Sequence, residues 1–266
     1  MRYILFLMFV LSCRLQAFDM YVRGEICTMQ DYSNYLSQSI SNETSCLSDF
    51  GWKNITNKQN SSSTSSCLYG LGTRIPINKK MKIGIGYEYI DLGSIYWEVK
   101  GYYGNQWIKE SESDNAQLYL PYISLQYSIH KYWCIDIEMG YAYSVINSSY
   151  TFQRYWNPDL ETENINSKFS GDNVWQSIAI SSQLPISDFA NFNLMIGFRK
   201  IYIPKYTCSS VSTSNCSTSL SVGDTLQGSC LDSPSFLYKV GITFSFDFVK
   251  PVERELAPPP LYPEME

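Results

Sequence analysis

The chain has 266 residues, 44% of them hydrophobic and 15% aromatic, and a formal net charge of -5 at pH 7. This length suits one barrel or one to two globular domains, and the acidic balance argues against a nucleic-acid partner. Beyond the N-terminus no stretch approaches about 20 consecutive apolar residues, which excludes a helical membrane span but not a barrel, whose apolar residues are diluted by alternation.

Met1-Arg2 gives a positive start, Tyr3 to Leu11 form a short apolar run, and Leu15-Gln16-Ala17 ends on a small residue. This pattern predicts a secretory signal peptide over residues 1–17, cleaved after Ala17. The alternative at Val10-Leu11-Ser12-Cys13 is a lipoprotein site with Cys13 lipidated. Eight cysteines fit an oxidising compartment. Without Cys13 seven remain, an odd number that leaves a free thiol or a bridge to a neighbouring chain. There is no Cys-x-x-Cys pair and His130 is the only histidine, so no zinc or other metal site and no cofactor is expected.

Eight alternating segments follow. A strand sends successive side chains to opposite faces. The first, Asp19 to Thr28, sets Met20 and Val22 against Tyr21, Arg23 and Glu25. A Ser/Asn/Thr-rich loop, Met29 to Ser66, leads to a strand over Cys67 to Ile75, a turn over 76–80, and a third strand over Met81 to Asp91, where Ile83, Ile85 and Tyr87 oppose Lys82 and Glu88. A loop over Leu92 to Asn115 precedes strand four, Ala116 to Ile129, whose less clean alternation places Tyr119, Ile123 and Tyr127 on the expected lipid face. His130 to Tyr132 is a tight turn. Strand five, Trp133 to Val145, sets Ile135, Ile137 and Met139 against Cys134, Asp136 and Glu138. After a loop over Ile146 to Asp172 come strand six, Asn173 to Leu184, a turn over 185–191, and strand seven, Phe192 to Ile203, with Arg199 on its polar face. A last loop, Pro204 to Pro234, holds three cysteines.

The final strand is the clearest. From Phe236 to Phe248 every second residue is aromatic or β-branched, and Leu237, Lys239, Gly241, Thr243, Ser245 and Asp247 lie between. Its length suits a tilted bilayer-crossing strand of roughly nine to eleven residues.

The connections alternate long and short, the order of a barrel with long external loops and short periplasmic turns. The expected fold is therefore all-β: an eight-stranded antiparallel transmembrane β-barrel over residues 18–248, with four long external loops and three short periplasmic turns. Residues 249–266 form a proline-rich periplasmic tail. Charges costly in lipid fall on the polar faces: Arg23, Glu25, Arg74, Lys82, Glu88, Asp136, Glu138, Arg199, Lys239 and Asp247. Their balance of sign, beside many small residues, predicts buried ion pairs filling a narrow lumen, with Glu88 and Glu138 meeting Arg199 inside it, or Arg74 or Lys82 in its place since the register is not fixed.

Residues 18–248 resemble the eight-stranded OmpA-type outer-membrane barrel. Leu68-Tyr-Gly-Leu-Gly-Thr-Arg-Ile-Pro76, a short turn and Ile83-Gly-Ile-Gly-Tyr-Glu-Tyr89 are similar to that family's second hairpin, and Pro251, Pro258, Pro259, Pro260 and Pro263 match its proline-rich linker. The family often continues into a peptidoglycan-binding domain, whereas this sequence ends at Glu266. Phe248 is similar to the terminal aromatic residue of bacterial outer-membrane barrels and is expected to act as their assembly signal. The cysteine-rich loops resemble those of the disulfide-linked major outer-membrane proteins of intracellular bacteria. Bridges are expected for Cys46–Cys67 and for a pair among Cys208, Cys216 and Cys230, with Cys134 unpaired or linked to another chain.

No catalytic constellation stands out: His130 sits in a turn, and the strand-sharing Asp136 and Glu138 are explained by ion pairing. Asn42, Asn54, Asn60, Asn147 and Asn215 open Asn-x-Ser/Thr triplets, expected by chance in loops so rich in Asn and Ser. The expected role is non-enzymatic, a structural or surface-interaction protein of the outer membrane of a Gram-negative-type bacterium. Its alternatives are a narrow small-solute porin and, last, a barrel enzyme. Expected partners are outer-membrane lipid and lipopolysaccharide, the barrel-assembly machinery, an external ligand or host surface, and disulfide-linked neighbours.

Overall fold

The structure is a computed structural model and describes residues 17–27, 40–42, 44–61, 66–156, 159–214, 220–227 and 234–247. Residues 1–16 of the proposed signal, the tail and Phe248 lie outside these residues, while Ala17 opens the first strand.

Eleven strands are present among the described residues: β1 (Ala17–Cys27), β2 (Lys53–Ser61), β3 (Ser66–Pro76), β4 (Met81–Tyr103), β5 (Gln106–His130), β6 (Trp133–Trp156), β7 (Asp159–Ser187), β8 (Ala190–Ile201), β9 (Lys205–Ser214), β10 (Thr225–Gln227) and β11 (Pro234–Asp247). Eight of them close a ring. β1 pairs with β3 and β11, β11 with β8, β8 with β7, and β7 through β6, β5 and β4 returns to β3, each contact antiparallel. Closure satisfies every strand edge within the ring, the condition for a sheet to stand in lipid.

The alternation fixes what faces out. Val22 (60% exposed), Ile85 (66%) and Phe236 (64%) lie on the outer wall, whereas Leu118, Leu237 and Lys239 from the opposite parity are buried. The apolar exposure recurs on every strand of the ring and forms a continuous belt far beyond the patches of a soluble monomer. Rings mark its edges: Tyr89–Tyr119 and Tyr119–Tyr143 contacts of 5.5 and 6.0 Å at the upper rim, and the Phe18–Phe246 stack of 4.9 Å with Trp133 at the lower. From Trp133 to Tyr143 is ten residues, about 33 Å along the strand. At a tilt of about 40° that spans about 25 Å of height, the apolar band of an outer-membrane barrel.

Two segments expected as loops, 92–115 and 146–172, are strand. β4 and β5 run on to a turn at Gly104, whose φ of +59° suits glycine, and β6 and β7 extend in the same way. Polar and charged residues are frequent there, and from Ser94 onward the neighbouring extensions pair with each other residue by residue. β2 joins β4 on one side and β9 joins β7 on the other, with β10 beyond β9. The result is an external sheet standing above one side of the rim. Helical residues 40–42 and 44–49 bring Ile40 and Leu47 into the same apolar core as Trp97 and Val99 on its inner face.

Among the described residues the expected Cys46–Cys67 bridge is not formed, and Cys208 takes no part in a bridge. Cys46 is a free, exposed thiol beside Leu47, which points into the core in its place. Cys208 is free and buried, held in the apolar core by its pairing opposite Phe169. Cys216, Cys230 and the side chain of Cys67 lie outside the described residues. Cys134 is free and buried, facing inward near Ser128.

Candidate functional site

The barrel interior is the most chemically organised part of the molecule. It is built in three tiers. Near the lower end, Lys82 Nζ donates to Asp19 Oδ2 at 2.5 Å. Arg74 lies 2.7 Å from Asp136, which also accepts from Gln126 at 3.0 Å and from the Ser181 hydroxyl.

The central tier joins five strands. Arg23 contacts Glu88 at 3.2 Å and Glu138 more closely still. Lys239 Nζ donates to Glu138 Oε2 at 3.1 Å and to Glu88. Arg199 makes a two-pronged contact with Glu25 at 2.9 and 3.1 Å and lies 3.9 Å from Glu88. Three cations therefore face three carboxylates, all buried. Glu88 and Arg199 meet here, but Glu138 is bound by Arg23 and Lys239 rather than by Arg199. Strand stagger decides this: Glu88 lies opposite Gly70 of β3, and Glu138 opposite Ser177, whose hydroxyl donates to it at 3.1 Å.

Sequence reasoning missed three members of this interior. Tyr122 accepts from Arg23, and its hydroxyl lies 3.0 Å from that of Tyr21. Both rings lie beside the Arg23 guanidinium, with centroids 4.8 and 5.2 Å away. Inward glycines make room for them: a Cβ at Gly86 would collide with the Tyr122 ring, and one at Gly72 with the Tyr21 hydroxyl. Asp19 is the third, partnering Lys82. The inward parity of Tyr21 and Tyr122 was legible, but their crossing contact depends on register.

The upper tier is apolar. Leu68, Ile90, Leu92, Leu118, Leu120, Trp175, Ile201 and Ile203 close the lumen above the charges. The lumenal cavity beside Tyr21, Arg23, Arg74 and Lys239 has a volume of only about 20 Å³, room for about one water. Ions and solutes thus meet a salt-bridged layer and then a hydrocarbon seal.

Above the rim, three carboxylates alternate along the inner face of β5: Glu110, Glu112 and Asp114. Glu112 accepts from Trp97 Nε1 at 3.0 Å and from Ser148 at 2.9 Å, and Glu110 accepts from Tyr150 at 2.9 Å. Burial pushes the Asp114 carboxyl up to about 7, and the charge of Glu112 adds to the shift. Among the described residues no group of three or more His, Cys, Asp or Glu side chains has a geometry that could hold a metal ion. His130 is the last residue of β5, opposite Trp133 and beside Tyr132 at the lower end, rather than in the turn itself.

No family model and no curated protein matches the sequence. Solved structures of similar shape include Ail, the attachment invasion locus protein of Yersinia pestis, with 6% identity over 87% of this chain and 99% of that one and a TM-score of 0.38. OprG from Pseudomonas aeruginosa has 14% identity over 87% of this chain and 97% of that one, with a TM-score of 0.34. CarO of Acinetobacter baumannii has 12% identity over 72% of this chain and 96% of that one, with a TM-score of 0.32.

Proposed function

We propose that this protein is a sealed outer-membrane β-barrel whose role is structural and surface-interactive, presenting a rigid external sheet above the bilayer. The observation that carries the reading is the pairing of a lipid-facing apolar belt with a filled interior. The belt requires a bilayer or its equivalent, and the paired charges with the apolar layer above them fill the lumen, beside a cavity of only about 20 Å³. The same filling favours a sealed barrel over a narrow porin. Eight strands give an interior that side chains nearly fill, and here they do.

The role proposed is non-catalytic, and lipid and lipopolysaccharide are the expected neighbours of the belt. Similarity to the OmpA type rests on strand number, the alternation of connections and the second-hairpin motif. Electrophoretic migration of the membrane fraction, with and without heating and with and without reductant, tests the reading. A folded barrel migrates faster unheated than heated, in the outer-membrane fraction. Equal migration, or recovery in the soluble fraction, refutes it.

A further inference from the structure

The outer face of the external sheet carries a second, unassigned feature. The register sets polar residues side by side across β6, β7 and β9: Asn147 opposite Lys168 opposite Ser210, and Ser149 opposite Asn166 opposite Ser212. These six line an open groove of about 300 Å³. All six are exposed, and none has a side-chain partner among the described residues. Hydroxyls and amides both donate and accept. They stand about 4.8 Å apart across strands and about 6.7 Å apart along them, a grid on the scale of a pyranose ring. Farther along the same face, Trp107 and Tyr155 stack with centroids 6.0 Å apart and planes 15° apart, and Lys100 Nζ sits 4.4 Å above Trp107.

We infer that this face binds an oligosaccharide carrying carboxylate groups, presented by another surface. The backbone groups joining β6, β7 and β9 are spent on one another, so recognition falls to the side chains. The groove lining contains no apolar side chain to hold an acyl chain. Its one charge is Lys168, with no acid among the lining residues, which complements an anionic sugar rather than a neutral one. From Asn147 to Tyr155 is eight residues, about 26 Å along the strand, so an extended chain reaches from the lysine to the aromatic stack, where sugar faces pack against rings. The grid lies on the stretches of β6, β7 and β9 that continue past the rim, above the apolar belt and on one side of the barrel only.

The inference rests on the surface-interaction reading, so its test uses protein already shown to be folded by heat-modifiable migration. Reconstituted full-length protein in phosphatidylcholine nanodiscs, free of glycolipid, is titrated with hyaluronan oligosaccharides, neutral dextran oligosaccharides and polyglutamate. Hyaluronan should bind at least about tenfold more tightly than either competitor, a difference of about 1.4 kcal/mol. Asn166→Leu, Lys168→Gln and Trp107→Ser should each weaken it severalfold, while Lys131→Gln in a lower turn leaves it unchanged. Absence of hyaluronan binding, equal binding of polyglutamate or dextran, or indifference to Asn166→Leu overturns the proposal while leaving the barrel reading intact.

Discussion

Lys239→Met probes the central charge tier most directly. The substitution keeps the buried stem and deletes an ammonium that serves both Glu88 and Glu138. Three cations against three carboxylates become two against three, leaving one uncompensated negative charge among groups no more than 6% exposed. Breaking a buried pair from one side costs about 3–5 kcal/mol. Glu88 retains Arg23 at 3.2 Å and Arg199 at 3.9 Å, and Glu138 retains Arg23, so the lower end of that range, about 3 kcal/mol, is expected. Adding Glu88→Gln restores neutrality. The double variant should therefore recover part of the loss, with an interaction of about 1–3 kcal/mol in the double-mutant cycle. Urea unfolding of the barrel in lipid vesicles, followed by tryptophan fluorescence, reads both values, since Trp175 packs edge-on against Tyr122 at 5.5 Å just above the network. A loss below about 1 kcal/mol, the value of a solvent-exposed pair, refutes the buried-network account. So does further destabilisation by Glu88→Gln in the Lys239→Met background.

Other expectations test the belt, the packing, the seal and the external carboxyls. Val240→Arg, on the lipid face, should destabilise the barrel by about 2–4 kcal/mol if it sits near the bilayer midplane, whereas Val222→Arg, exposed above the rim, should be neutral in the same unfolding assay. Gly86→Leu should abolish the fast-migrating folded band, because its side chain would occupy the position of the Tyr122 ring; a normal band would show that the ring can relocate. Planar-bilayer recordings of the wild type should show no porin-sized conductance, and large open steps would overturn the sealed lumen. An unfolded Asp titrates near 3.9 and Asp114 in the fold near 7. Between those values the folded form holds a proton that the unfolded form has lost, so stability of the external hairpins is greatest below about pH 4 and falls as the pH rises to about 7. Hydrogen exchange around Trp97 and Ser148, corrected for intrinsic rates, should show more protection at pH 5 than at pH 8, and Asp114→Asn should remove the difference.

The sequence by itself determined the ring and its two faces. Period-two alternation is a local property, so Val22 and Phe236 could be assigned outward, and Arg23 and Lys239 inward, without knowing any neighbour. Alternating short and long connections then ordered the strands around the ring. Tertiary structure alone decided which inward groups meet. Arg199 takes Glu25 and Glu88 while Glu138 goes to Arg23 and Lys239, because inter-strand register and the barrel's stagger set each residue's height, and no local pattern encodes them. The external sheet was hidden for a related reason. Above the rim no lipid enforces a strict apolar face, so residues 92–115 and 146–172 carry a loop-like composition, and only their pairing with one another makes them strands. Cys46 and Cys208 show the same limit: a bridge needs two sulfurs brought within bonding distance, and the fold turns one outward beside Leu47 and buries the other opposite Phe169.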